Sequence, residues 1–233
     1  KGNNEFTKKL CEVVIETEKK IPIIFSSSVH AEVDNDYGNS KLKSEEHLLK
    51  LQKKNGNQVF IFRLPNIFGK WSNPNYNSVV ATFCHNIIND LPIQINDKSA
   101  EISLVHIDDV VKSFINLIEK TPQTSEEPYR SVKPVFKKKV ADIAKLINSF
   151  KQSRKNYTIN RVGAGFERLL YSTYLSYLSP NQFFYNINKN EDERGIFSEM
   201  LKTNDSGQFS FFTAHPGITR GGHYHHIKNE KFL

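Results

Sequence analysis

The strongest constraint on the fold is a pair of short apolar runs with a helical segment between them. Residues 21–25 and 59–64 are almost wholly apolar, as strands buried on both faces of a parallel sheet are. Between them an amphipathic stretch begins at Tyr37 and ends at Asn55-Gly56, a pair that terminates helices. Strand, helix and strand in this order form the βαβ unit of a doubly wound α/β domain.

Apolar spacing predicts further helices and strands along the first part of the chain. Helices are expected over residues 6–19 and 163–177, and from about residues 79, 107 and 140 onward, with short strands at 93–95 and 102–105. An aspartate of the pair Asp108-Asp109 is the expected N-cap of the helix near residue 107. Residues 121–131 are predicted to form a polar loop, and the lysine run 137–139 to begin a helix with a solvated face.

Helical periodicity ends near Ser179. Residues 195–201 and 207–212 have the composition of strands separated by turns. We therefore expect residues 1–178 to belong to the α/β domain and residues 179–233 to begin an all-β domain.

The composition and charge of the chain limit the kinds of molecule that it is expected to bind. No apolar run reaches the length of a membrane span. The formal charge of +7 raises nucleic acid as a partner, but the lysines are scattered among asparagines, so an anionic small substrate such as a nucleotide sugar fits the charge equally well. Neither nucleic acid nor a membrane is an expected partner. Cys11 and Cys84 occupy apolar helix positions and are predicted to be core thiols, which suits a reducing cytoplasm.

A cluster of hydroxyl and amine side chains follows the first predicted strand. Ser26-Ser27-Ser28 follows the end of that strand and begins a polar loop, and Tyr37 and Lys41, four residues apart, share one face of the following helix. A nearby ammonium favours the phenolate and lowers the pKa of tyrosine from about 10 toward neutral pH. Tyrosine and lysine at this spacing are usually a packed ring and a solvated amine. The preceding strand and serines favour proton transfer beside a carbonyl instead.

Two further groups carry candidate binding residues. Pro65-Asn66 follows the second strand, where ligands bind in open parallel sheets, although both residues also form ordinary turns.

His223 and His225 would face the same side of a strand and, with Glu230, could bind a divalent transition metal. Without a metal, His223 could instead remove a proton next to a ketone while Arg220 holds a phosphate or the enolate. The residues alone leave both roles of His223 open.

The first part of the chain resembles the extended short-chain dehydrogenase/reductases, which include nucleotide-sugar epimerases and dehydratases. The resemblance rests on residues 25–28, 37–41, 63–66 and 105–109. It implies a Rossmann-type sheet that binds NADP or NAD. Its glycine-rich dinucleotide loop is not found, so we expect an incomplete domain whose first strands lie upstream.

That resemblance assigns roles to individual residues. It implies that Ser28 is the catalytic hydroxyl, that Tyr37 is the acid/base, and that Lys41 tunes Tyr37 and holds the nicotinamide ribose. The cofactor-binding residues that it implies are Ser26, Tyr37, Lys41, Pro65 and Asn66, and the substrate-binding residues are Asn66 and Asn77.

The second part is similar to the cupins. Gly217-x5-His223-x-His225-x4-Glu230 resembles the first cupin metal motif, and residues 192–197 and 219–223 resemble motifs of cupin-fold deoxysugar epimerases. This implies the start of a jelly roll. His223, His225 and Glu230 would hold a divalent metal, expected to be zinc, or His223 would act as the base. Arg194 and Arg220 would bind substrate.

Both parts in this order resemble the bifunctional reductase/epimerases of capsular-polysaccharide synthesis in the UDP-N-acetyl-L-fucosamine pathway. The resemblance implies epimerisation next to the ketone of a UDP-4-keto-6-deoxy-N-acetyl-hexosamine and NADPH-dependent reduction of that ketone. The expected partners are this UDP-linked deoxy amino sugar and a second copy of the chain in a homodimer. The alternatives are a nucleotide-sugar 4-epimerase or dehydratase and a non-catalytic binding subunit or fragment. Val29-His30 after Ser28, in place of an acidic pair, argues against a dehydratase.

Overall fold

The N-terminal half alternates helices with parallel strands. The structure is a computed structural model that describes residues 2–120, 127–222 and 224–232, apart from the side chain of Asn3. Its first elements are helix α1 (Gly2–Glu16), strand β1 (Ile23–Ser28), a 3-10 turn (Val29–Glu32), helix α2 (Asp36–Asn55) and strand β2 (Val59–Leu64). β1 and β2 pair in parallel along their whole length. The predicted βαβ unit is confirmed.

Strand β1 differs from its prediction at the carboxyl end. It continues through the three serines, which were expected to lie in a loop, and Ser28 pairs with Leu64 of β2. Ser26 is exposed, whereas Ser27 and Ser28 are buried. The serine cluster is therefore held by backbone pairing to β2, which fixes the position of each hydroxyl.

A second small sheet and four more helices complete the α/β part. In chain order the elements are β3 (Asn66–Phe68), α3 (Val79–Ile88), β4 (Glu101–His106), α4 (Ile107–Glu119), β5 (Tyr129–Arg130), β6 (Phe136–Lys139), α5 (Val140–Asn156) and α6 (Gly165–Leu175). β5 adds in parallel to β2, while β4 pairs in parallel with β3 and antiparallel with β6. The chain thus passes from one sheet to the other at Pro65.

Two predictions in this region are wrong, and a third is wrong in part. The lysine run belongs to strand β6, where Lys137, Lys138 and Lys139 pair with β4, and not to a helix start. Residues 93–95 lie in no strand. The predicted polar loop contains β5, and its residues 121–126 lie outside the described part of the chain.

Apolar side chains fill both faces of the β1–β2 pair. On one face, α1 and α2 pack on the strands through Cys11, Val14, Leu48, Leu51, Val59 and Ile61. On the other face, Phe60, Phe62 and Leu64 pack with Val105, Val110 and Val132. Burial on both sides explains why the β2 sequence is apolar at five of its six positions.

The two cysteines are buried free thiols on helices α1 and α3, as predicted. Burial raises the pKa of both thiols. A thiol with a raised pKa carries little thiolate at neutral pH, so both side chains act as small apolar groups. Of the helices in the described ranges, none is long and apolar enough to cross a membrane.

A small antiparallel meander follows the α/β part. After a 3-10 turn (Pro180–Gln182), strands β7 (Asn190–Asp192), β8 (Gly195–Lys202) and β9 (Gln208–Phe212) pair in sequence. The predicted strands after Ser179 are confirmed, and β7 was missed. Backbone bonds join the meander to the α/β part, with Lys202 N donating to Tyr157 O at 2.8 Å and Ile159 N to Lys202 O at 2.9 Å.

Candidate active site

The start of helix α2 is held against the turn that follows β1. Asn35 caps the helix, because its Oδ1 accepts from Gly38 N at 2.8 Å. A Cβ atom at Gly38 would lie 2.2 Å from the carbonyl oxygens of both His30 and Val33. Only a residue without a side chain permits this close approach, which brings Tyr37 and Lys41 to the carboxyl end of β1.

Tyr37 lies between His30 and Lys41. Its side chain is half exposed, and its ring centroid is 6.3 Å from that of His30 in an edge arrangement. Lys41 Nζ is 6.0 Å from the Tyr37 ring centroid and donates to Ser26 O at 3.0 Å. The Lys41 amine therefore lies between the end of β1 and the Tyr37 ring.

Two opposing effects act on the Lys41 amine. Burial lowers the pKa of Lys41, and the carboxylate of Glu45, one helical turn away, raises it. Burial has the larger effect. The amine has three N–H donors, and Ser26 O accepts one of them, so donors remain for a ribose hydroxyl.

Ser28 and Ser27 have different partners. Ser28 Oγ accepts from His30 N at 3.2 Å and caps the 3-10 turn. Within the described ranges no acceptor is paired with the Ser28 hydroxyl hydrogen, which leaves it available to a substrate oxygen. The Ser27 hydroxyl instead donates to the buried carboxylate of Glu45. The prediction that Ser28 is the reacting serine is therefore compatible with the geometry.

The other residues predicted for the first domain are spread more widely. Pro65 connects β2 to β3, and Asn66 begins β3, so a simple turn at this place is wrong. Asn66 is exposed and its Nδ2 donates to Ser103 O at 3.3 Å. Asn77 lies in an exposed loop before α3 with a positive φ of 54°. No contact described in the structure joins Asn77 to Tyr37 or Asn66.

A buried ion pair behind the site was missed. Glu45 is fully buried on α2, and its Oε2 receives Arg63 Nη2 at 2.6 Å and the Tyr129 hydroxyl at 3.3 Å. Arg63 Nη1 also donates to Glu32 Oε1 at 2.6 Å. The hydrogen bonds to Glu45 raise the pKa of Arg63. One signal was present in the sequence, since Arg63 is the one charged residue of an apolar strand and must find a buried partner.

His106, and not an aspartate, caps helix α4. Its Nδ1 accepts from Asp108 N at 3.3 Å, and its ring packs edge-on against Phe68 with centroids 5.2 Å apart. The side chain is almost fully buried, and its Nε2 has no hydrogen-bond partner among the described residues. Burial lowers the pKa of His106, more than Asp108 and Asp109 raise it.

The lowered pKa of His106 predicts that the protein loses stability in mild acid. The pKa of His106 in the folded protein lies below its ordinary value of 6.5. As the pH falls below that value, the unfolded chain therefore takes up this proton before the folded protein does. We expect the free energy of unfolding to decrease from that pH downward. In His106→Asn, which can still cap the helix, that part of the pH dependence should vanish in thermal melts between about pH 8 and 5. A variant that keeps the full acid-side slope would contradict the assignment.

The residues predicted for the second domain lie partly in one cleft. The cleft has a volume of about 600 Å³ and is lined by Lys189, Asn190, Glu191, Asp192, Arg194, Phe197 and Arg220. Arg194 is paired with Asp192, with Nη2 and Oδ2 at 2.5 Å. Among the residues that the structure describes, Arg220 Nε and Nη2 are buried without a hydrogen-bond partner, although Nη2 forms an ion pair with Asp192 Oδ1 at 3.9 Å. Guanidinium N–H donors that lack a hydrogen bond in a cleft suit an anionic ligand.

The predicted metal ligands are only partly placed. His225 Nε2 and Glu230 Oε1 are hydrogen-bonded at 2.9 Å, and His223 lies outside the described residues. In the ranges that the structure describes, no group of three or more histidine, cysteine or acidic side chains is placed to hold a metal ion. The metal site at His223, His225 and Glu230 therefore stays a prediction.

The parallel strands with helices between them form a Rossmann-type α/β fold, and the roles of Ser28, Tyr37 and Lys41 at one strand end stay predictions. The NAD dependent epimerase/dehydratase family matches residues 6–130, more than half of the chain, and the chain belongs to it. A second family, described as Polysaccharide biosynthesis C-terminal domain, matches residues 190–233. Neither description names a cupin, so the cupin fold stays a prediction.

Particular relatives agree with this class. A Pseudomonas aeruginosa protein named UDP-2-acetamido-2,6-beta-L-arabino-hexul-4-ose reductase is 56% identical over 232 residues, which cover 100% of this chain and 62% of the relative. The crystal structure of the capsular polysaccharide assembling protein CapF from Staphylococcus aureus superposes with a TM-score of 0.88 at 44% identity, covering 95% of this chain and 60% of that chain. This chain therefore spans about three fifths of the length of these relatives.

A more distant likeness concerns the fold alone. UDP-glucuronic acid 4-epimerase from Bacillus cereus in complex with NAD has a TM-score of 0.61 at 16% identity, covering 75% of this chain and 65% of that chain.

Proposed function

We propose that the full-length protein is an NADPH-dependent reductase of the 4-keto group of a UDP-4-keto-6-deoxy-N-acetyl-hexosamine, in the synthesis of a surface polysaccharide precursor. The observation that carries the proposal is the placement of Ser28, Tyr37 and Lys41 at the carboxyl end of β1. The name of the Pseudomonas aeruginosa relative supports a 4-ketose substrate linked to UDP.

The three side chains divide the chemistry of a ketone reduction. NADPH, when bound, supplies the hydride to the carbonyl carbon. The Tyr37 hydroxyl gives a proton to the carbonyl oxygen, Ser28 donates a hydrogen bond to that oxygen, and Lys41 stabilises the phenolate that Tyr37 becomes. The free N–H donors of Lys41 and the half-exposed Tyr37 fit a cofactor ribose beside them. Ser26, Pro65 and Asn66 would border the nicotinamide, and Asn66 and Asn77 the sugar nucleotide.

We also propose that the C-terminal segment binds the same sugar nucleotide and epimerises the carbon next to the ketone. The support is the cleft with Arg194 and Arg220, whose guanidinium groups would hold phosphate or enolate oxygens. His223 would be either the base or, with His225 and Glu230, a ligand of a divalent metal. Metal analysis of the purified full-length protein separates these roles, because a metal-free protein with epimerase activity leaves only the base.

The test of the reductase proposal is a count of nicotinamide turnover. With the UDP-4-keto sugar, a reductase oxidises one NADPH for each ketone reduced, and deuterium from labelled NADPH appears at the sugar carbon. A 4-epimerase of the same family returns the hydride to its substrate and consumes no net nicotinamide. Product formation without net NADPH oxidation would refute the proposal, and so would the absence of any turnover. The ratio of kcat/KM for NADPH and NADH tests the cofactor.

A further inference from the structure

The carboxylate of Glu45 is fully buried and held by several partners. Its partners come from three strands and are the Ser27 hydroxyl on β1, Arg63 on β2 and the Tyr129 hydroxyl on β5. The Arg63 side chain is itself only 24% exposed. A charge pair that is desolvated to this degree holds its geometry firmly, because displacing either partner leaves a buried charge unpaired.

Glu45 lies on the same helical face as the proposed catalytic residues. Tyr37, Lys41 and Glu45 are separated by four residues each on α2, so they follow one another along one side of the helix. Because its carboxylate is anchored to the sheet, Glu45 fixes how α2 is rotated about its own axis, one helical turn away from Lys41. The next side chain along this face, Lys41, then lies against Ser26 O.

We propose that Glu45, anchored by Arg63, is a positioning residue that holds the Lys41 ammonium against the end of β1 and beside Tyr37. The proposal rests on the proposed reductase function for its catalytic consequence. It adds a second role to an ion pair that would otherwise only bind α2 to the sheet. A purely structural pair would affect stability and leave the ionisation of Lys41 unchanged.

Several charged or titratable groups surround this part of α2. On the helix itself, Glu45 acts electrostatically on Lys41 and raises its pKa, while Tyr37 lies beside the amine. The groups on other elements that contact this part of the helix or its partners are His30 and Glu32 on the 3-10 turn, Arg63 on β2 and Tyr129 on β5. His30 contacts Tyr37, while Glu32 and Tyr129 contact the Glu45–Arg63 pair. Of the two members of that pair, Glu45 is the one that acts on Lys41.

The first experiment reads the ionisation of Lys41 directly and needs no enzymatic activity. Competitive acetylation of the full-length protein at a series of pH values, followed by peptide mass spectrometry, gives the pH at which Lys41 becomes reactive. In Glu45→Gln this midpoint should fall, because the cause that raises the Lys41 pKa is removed while burial remains. Glu46→Gln, an exposed neighbour on the same helix, should leave it unchanged. An unchanged midpoint in Glu45→Gln overturns the proposal.

The second experiment covers the case in which Glu45→Gln fails to fold. Glu45→Asp keeps the negative charge but shortens its reach toward Ser27 and Arg63. We expect kcat to fall about tenfold with little change in the KM for NADPH, because the lysine is held less firmly in the same bound complex. A wild-type kcat in Glu45→Asp overturns the positioning role.

The two measurements distinguish a failure of the proposed reductase function from a failure of the inference about Glu45. If the Lys41 midpoint moves as expected but the wild-type protein does not reduce the UDP-4-keto sugar, the inference stands and the proposed function falls. If the wild type reduces the sugar and neither the midpoint nor the alkaline limb of the kcat profile moves in Glu45→Gln, the inference falls alone. The expected movement of that limb is to lower pH, because Lys41 loses its charge sooner.

Discussion

Replacing Tyr37 with phenylalanine should slow hydride transfer to the ketone by about 10² to 10⁴-fold, the usual contribution of a positioned general acid. The ring would keep its edge contact with His30 and only the hydroxyl would be lost. Because Tyr37 is half exposed, the free energy of unfolding should change little. The alkoxide that forms on the sugar would then have to take its proton from water.

Single-turnover oxidation of NADPH by the full-length protein, with the UDP-4-keto sugar in excess, measures this step. Tyr171→Phe on helix α6 is the matched control, because it removes the same hydroxyl from a ring that packs on Phe150 and Tyr174, remote from β1. The control should reduce the ketone at the wild-type rate. Hydride transfer at the wild-type rate in Tyr37→Phe would remove Tyr37 from the mechanism.

The sequence predicted those elements of the fold that depend on residues close together in the chain. The β1–α2–β2 unit follows from two apolar runs and a Gly56 C-cap with a positive φ of 72°. Strand β5 has only two residues and forms because it pairs with the edge of β2. The sequence around β5 contains no pattern that predicts this pairing. Lys137 to Lys139 form a strand because β4 pairs with them, and their charges hide the alternation of exposed and partly buried residues.

The same distinction applies to the site. Tyr37 and Lys41 could be associated from the sequence because one helix sets their spacing. The Glu45–Arg63 pair depends on how α2 packs on β2, because the partners are 18 positions apart in the sequence, and no motif specifies that packing. The cap of α4 was assigned to aspartate by capping preference, but β4 ends at His106, and the cap follows from the strand's end.

Replacing Gly38 with alanine should disrupt the site from the backbone. Alanine favours helices over glycine by about 1 kcal/mol, so helix propensity alone predicts a more stable α2. The added Cβ would however lie 2.2 Å from two carbonyl oxygens, those of His30 and Val33, and backbone cannot move aside as a flexible side chain can. Overpacking of this kind costs about 1–3 kcal/mol. We therefore expect a lower melting temperature together with a displaced first turn of α2.

Tyr37 is the residue directly before Gly38, so this displacement moves the proposed acid itself. A shift of about 1 Å at a reacting group reduces rates by about 10²-fold, and we expect a loss of that order in hydride transfer. Gly163→Ala is the matched control, since its Cβ would meet no atom within 4 Å. It should melt and react as the wild type does. If Gly38→Ala retained full activity and the wild-type melting temperature, the start of α2 would not be held against the 3-10 turn, and the contact of His30 with Tyr37 would not be needed for the reaction.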